Sequence, residues 1–256
     1  MQFTLRKWYL DVVTEAGRVG IAYWVSVHAG PASYAVCGLL RAGSAEASQS
    51  FSLRASHGPR LLNDRLVWRA PSLDLDISLL RVAPEFSRRL LDTPDGAVDW
   101  TVWAPAAAVR FTVGDEVLTG EGYVERLDLS LPPWAIPVRE FHWGRFVSDS
   151  RSLVWLKWEG EHPLALAWLD GVPVADPRIE VDGVALGSAG GLAIAERSVI
   201  TDATIGEQLT LLAPLQALVD NVASSHQTRW LSRGTFKRPG APPLEGWVIH
   251  EVVRWR

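Results

Sequence analysis

An antiparallel all-β fold of the sandwich or barrel kind is what this sequence predicts, and three observations predict it. Short runs of apolar and β-branched residues follow one another along the chain, several with period-two alternation. Gly, Pro and Asp fall between the runs as turn residues. Nothing in the pattern demands a long helix, and such a series of strands builds a sandwich or a barrel.

Taken in order, residues 7–27 hold two runs, WYLDVV and IAYWVSVHA, around a connection at 14–20 whose Glu, Ala and Gly suit a hairpin. Asp11 sits in the first run among Trp8, Tyr9, Leu10 and Val12. Residues 33–40 form another short apolar run, 50–55 alternate Phe51 and Leu53 against Ser52 and Arg54, and 57–64 are a loop broken by Gly58 and Pro59. The stretch 73–79, LDLDISL, alternates fully, whereas 84–91 reads equally as one or two helical turns or as a strand. Residues 99–104 and 109–113 are expected as two strands divided by Pro105, with Gly114 and Asp115 turning the chain before Val117.

The central stretch 120–146, GEGYVERLDLSLPPWAIPVREFHWGRF, organises the rest. From Tyr123 the odd positions are Tyr123, Glu125, Leu127, Leu129 and Leu131, so Glu125 shares the apolar side of its strand. An acid placed there either has a partner, such as Arg139, Arg145 or a tryptophan indole N–H, or is a functional group. The Pro132–Pro133 turn is the natural seam of the chain, dividing 1–131 from 132–256. Beyond it, 152–158 and 163–170 read as a hairpin around 159–162. Asp170 and Gly171 mark a turn, 178–184 hold a short strand ending at Asp182 and Gly183, and 187–191 form a small loop. Residues 209–223 suit helix or strand alike. The stretch 246–256 alternates Trp247, Ile249, Glu251, Val253 and Trp255 with Val248, His250, Val252 and Arg254, the pattern of a closing strand. No tandem repeat is visible.

Composition narrows the function classes. With 48% hydrophobic and 21% charged residues the chain is an ordinary globular one. Its net charge of −4 makes no case for nucleic acid. One cysteine, Cys37, allows no internal disulfide, and the six histidines are scattered singly, so no metal or other cofactor is expected. No secretory signal is expected from the MQFTLRKWYLDVV stretch, and no apolar run reaches membrane-spanning length. The chain reads as cytoplasmic, with peripheral membrane contact left open and the oligomeric state undetermined. Thirteen tryptophans are the outlier, since rigid indoles suit the walls of an apolar pocket as well as they suit a core. With no nucleophile or phosphate-loop motif present, what remains is acid chemistry in apolar surroundings, where desolvation keeps a carboxyl group protonated.

The residues Gly120, Gly122, Tyr123, Glu125, Pro133, Trp134, Pro137, His142, Trp143 and Gly144 resemble the signature of the lipocalin-like family of bacterial carotenoid 1,2-hydratases, AttH-type proteins and certain natural-product cyclases. The WYLD start, 68–75 and the late His250–Glu251 pair extend the resemblance over most of the chain. It implies two lipocalin-like antiparallel β-barrel halves packed together, with an apolar pocket at or near their junction. It also implies a hydratase, or a cyclase or isomerase that includes Diels–Alderase-like cyclisation, working on a hydrophobic isoprenoid or polyketide-like substrate. In the family a WG element precedes an aromatic-x-Asp proton donor; here Trp143 and Gly144 precede Trp168, Leu169 and Asp170, with Trp in place of the family's Tyr. On this resemblance Asp170, Glu125 and His142 are the candidate catalytic residues, and Trp143, Trp168, Tyr123, Glu251 and Trp134 the candidate substrate-binding ones. Each has a plainer alternative. Asp170, beside Gly171, suits the first position of a tight turn, Glu125 and Glu251 suit structural pairs, and Trp134 suits a core. The alternative function is a noncatalytic carrier or sensor of a lipophilic ligand, followed by an interaction module without one.

Overall fold

The computed structural model describes residues 3–42, 48–52, 57–208 and 223–255. The undecided segment 209–223 lies almost wholly outside them, as does the end of the 50–55 run. The chain divides into two units, Met1–Ile136 and Pro137–Arg256. Both are antiparallel β, one sheet curling into a half-barrel, so the all-β lipocalin-like expectation holds.

The first unit contains β1 (Phe3–Val13), β2 (Val19–Ala29), β3 (Ala32–Ala42), β4 (Ser48–Ser52), β5 (Arg60–Leu62), β6 (Arg65–Ala70), β7 (Leu75–Arg81), β8 (Phe86–Thr93), β9 (Gly96–Val113) and β10 (Glu116–Leu129). Their order across the sheet is β4-β3-β2-β1-β10-β9-β7-β6-β5, with β8 paired to β9 off this path. Alternation sends Trp8, Leu10, Val12, Ala22, Val124 and Phe111 into one apolar cluster, and the face that carries it is the inner face of this unit. Burying a valine, leucine or phenylalanine among them contributes about 1.5–3 kcal/mol.

Two expectations change here. In the ambiguous stretch 84–91, strand β8 begins at Phe86 and runs on to Thr93. The two strands expected on either side of Pro105 are one, β9, running straight through it. The reason is register: β9 pairs with β8 up to Val102 and with β7 from Ala107, so Pro105 sits where one partner has ended and the next has not begun. On its other side the β10 ladder steps irregularly between Gly122 and Val124, so the missing N–H falls at a bulge rather than in a regular ladder.

The second unit contains β11 (Val138–Ser148), β12 (Arg151–Gly160), β13 (Leu164–Leu169), β14 (Val172–Val174), β15 (Arg178–Glu180), β16 (Gly183–Ala185), β17 (Gly191–Thr204), the single helical turn α1 (Ile205–Gln208), β18 (His226–Lys237) and β19 (Leu244–Arg254). The order is β14-β13-β12-β11-β19-β18-β17-β16-β15. The strand expected at 178–184 is instead the β15–β16 hairpin, with Glu180 paired to Gly183 across Val181 and Asp182. The closing strand expected at the end is β19, seated between β11 and β18. Phe146, Leu153, Trp155, Leu192, Phe236 and Val248 cluster on the inner face of this sheet.

Candidate functional site

On β11 the even residues Glu140, His142, Gly144 and Phe146 share the inner face, and their partners on β19 are Arg254, Val252, His250 and Val248. One end of the face is the apolar cluster, and the other is polar. There Glu140 Oε1 lies 2.5 Å from His142 Nε2, while Arg254 Nε donates to Glu140 Oε2 at 2.7 Å. Burial pushes the Glu140 carboxyl up, but the hydrogen bonds from His142 and Arg254 outweigh it and leave Glu140 below the ordinary carboxylate range. A carboxylate only accepts, so His142 Nε2 carries the proton and, in the neutral ring, Nδ1 is the basic nitrogen.

His250 lies next along this face. It is buried, its Nε2 is 3.0 Å from Ser232 Oγ, and it stacks on Trp230 at 5.0 Å between centroids. Burial, then the charges of Arg197 and His142, lower its pKa to about 3, so the ring is neutral at ordinary pH. Trp230 pairs across the sheet with Val199, which is 57% exposed, so apolar surface on this face reaches solvent beside the two histidines. Gly144 lets the arrangement close. A Cβ there would stand 2.2 Å from Trp155 Cζ2, so only a residue without a side chain allows the indole to lie across β11. The site thus offers an oriented imidazole, a neutral imidazole–hydroxyl pair and an indole wall. Among the described residues no group of three His, Cys, Asp or Glu side chains could hold a metal ion.

The residues singled out from the sequence fall in several places. Trp143, Trp168 and Glu251 share one face of the second sheet, opposite that of His142: Trp143 is paired to Glu251, and Trp168 lies in another row, paired to Val154. Glu251 accepts from Gln227 Nε2 at 2.7 Å and from Arg229 Nε at 2.7 Å, a buried ion pair. Asp170 occupies the β13–β14 turn with φ +53°. Its Oδ2 accepts from Arg151 Nη1 and its Oδ1 from the Ser152 amide at 2.9 Å. Both oxygens therefore act as acceptors that fasten the turn.

Glu125 and Tyr123 come together in the first unit. Glu125 Oε2 accepts from Trp100 Nε1 at 2.6 Å and from the Tyr123 hydroxyl at 2.7 Å, with Tyr9 edge-on to Tyr123. This group lies on the face away from that unit's apolar cluster, and the indole partner is among those expected. Glu125, paired to Tyr9, and Glu251, paired to Trp143, hold matching posts on the last strand of each unit. Trp134 is 42% exposed and touches Phe3 edge-on at 6.0 Å. Sequence reasoning missed Glu140, Ser232 and Trp230 as site residues. The one local signal was the i, i+2 spacing of Glu140 and His142, which puts both on one strand face.

No family model and no curated protein sequence matches the chain. Solved structures do. A candidate AttH from Nitrosomonas europaea is 12% identical and has a TM-score of 0.54, over 98% of this chain and 92% of that one. CghA in a structure with Sch210972 gives a TM-score of 0.59 at 10% identity, over 98% and 88%. Kievitone hydratase from Nectria haematococca gives 0.55 at 10%, over 98% and 88%. At such identities the shared property is the fold, and in fold the chain is similar to the AttH-like, hydratase and cyclase proteins its sequence resembles.

Proposed function

We propose that the protein is a hydratase- or cyclase-type enzyme acting on a hydrophobic, polyunsaturated small molecule, with His142, held by Glu140, as its acid–base group. The observation that carries this reading is the 2.5 Å Glu140–His142 contact on the inner face of the second unit, next to His250, Trp230 and an apolar surface. Two of the structures sharing the fold, kievitone hydratase and CghA with Sch210972, support a small molecule as the reactant. In hydration, His142 Nδ1 takes a proton from water as the oxygen adds to one carbon of an activated double bond. The imidazolium, stabilised by Glu140, returns that proton to the other carbon. In cyclisation, the Ser232–His250 pair hydrogen-bonds a carbonyl while the indoles hold the reactant folded. Asp170, Glu125 and Glu251 we assign to structure, because their oxygens accept the hydrogen bonds that hold a turn and two strand faces.

The test is a panel of linear polyenes and polyketide-type trienes incubated with the enzyme and followed by liquid chromatography and mass spectrometry. His142→Gln is expected to lower kcat by about 10²- to 10⁴-fold, and Glu140→Gln by less. Asp170→Asn and Glu125→Gln should turn over at near the parent rate. Full turnover by His142→Gln overturns the assignment. A copurified lipophilic molecule that native mass spectrometry finds unchanged after incubation identifies a carrier instead.

A further inference from the structure

A second surface of the chain stands apart from the acid–base site. In the first unit, the face of β5, β6, β7 and β9 turned away from the apolar cluster carries two rows set by the strand register. One row is Leu62, Arg65, Leu80 and Ala108; the next is Arg60, Val67, Ser78 and Arg110. Leu62 and Leu80 are 48% and 44% exposed. Arg60, Arg65 and Arg110 are exposed and make no ion pair among the described residues. The neighbouring acids are already engaged: Asp76 with Arg69, Asp64 and Glu85 with Arg81. Glu121, at the far margin on β10, is only partly exposed and also engaged.

A chain of net charge −4 that gathers unmatched arginines among bare leucines has a local surface opposite in sign to its whole. Rows that mix guanidinium with branched aliphatic groups match one kind of occupant well. The leucines enter the acyl boundary while the arginines reach lipid phosphates along their own stems. We propose that this face, led by Leu62 at the β5–β6 turn and Leu80 on β7, docks on an anionic bilayer surface. The proposal is independent of the acid–base reading and concerns a different unit of the chain.

The experiment is co-sedimentation of the whole protein with phosphatidylcholine vesicles, with and without about 30% phosphatidylglycerol, at low and high salt. Binding is expected on the anionic vesicles and should weaken as salt rises. The triple variant Arg60→Gln/Arg65→Gln/Arg110→Gln is expected to lower that binding by about 100-fold, and Leu62→Ser/Leu80→Ser to weaken it as well. Because all five side chains are exposed, both variants should keep the parent's melting temperature. Equal binding to neutral and anionic vesicles overturns the proposal, as does a triple variant that binds like the parent. Variants that change only the oligomeric state in sedimentation velocity also overturn it and assign the face to a second copy of the chain.

Discussion

Neighbouring residues on β19 do opposite work, because a strand turns consecutive side chains to opposite faces. Glu251 is fixed in a buried pair with Arg229, while His250 sits uncharged on the inner face beside Ser232. The neutral state of His250 has a measurable consequence. In the folded chain it takes a proton only near pH 3, whereas the unfolded chain takes it near the ordinary 6.5. The unfolded state therefore binds the extra proton as pH falls, so stability drops from about pH 6.5 downward, by up to about 1.4 kcal/mol per pH unit. Glu140, with its lowered carboxyl, adds a loss only below its ordinary value of 4.5, which leaves the window above that to His250. Urea denaturation should show His250→Gln with a flatter limb between pH 6.5 and 4.5; an unchanged limb rejects the account. The site was legible only in part for a related reason. His142 and the Tyr123–Glu125 alternation show in the sequence, but Ser232 and Trp230 become neighbours of His250 only through the β18–β19 register.

At the level of the element, β11 depends on having no side chain at Gly144. Gly144→Ala forces a Cβ against the Trp155 ring, and the ring, fully buried, has little room to give. A loss of about 1–3 kcal/mol is expected, read as a lowered denaturation midpoint; a parent-like midpoint shows that the ring can move aside. Strand positions followed well from alternation, as at Leu75–Arg81 and Leu244–Arg254. Breaks followed less well. Pro105 promises a break by its chemistry, yet it lies between the reach of β8 and that of β7, and no local pattern records where a neighbouring strand ends. In the same way 178–184 hid a two-residue turn, because Val181 carries none of the usual turn chemistry.

For the whole molecule, the two units repeat one strand order that the sequence does not show as a repeat. In each, the first strand lies between the second and the last: β1 between β2 and β10, β11 between β12 and β19. The acids Glu125 and Glu251 occupy matching posts in the two copies, although their hydrogen-bond donors differ, Trp and Tyr in one and Arg and Gln in the other. What persists is therefore register and topology rather than side-chain identity, which explains why no repeat is visible in the residues themselves. Such pairing of distant segments makes loop closure costly before contacts can form. Refolding followed by the fluorescence of buried Trp100 and Trp155 is expected in milliseconds to seconds or slower. Completion within microseconds contradicts that view of the topology.

The place where the chain enters each sheet adjoins the place where it leaves. Leu5 stands opposite Leu129 and Glu140 opposite Arg254. Each half is wired as a ring cut at one point, so in a chain of residues 137–256 alone a short peptide tie from the end of β19 to the start of β11, with new termini opened at the Val181–Asp182 turn, gives a circular permutant that keeps the described ladders of the second sheet.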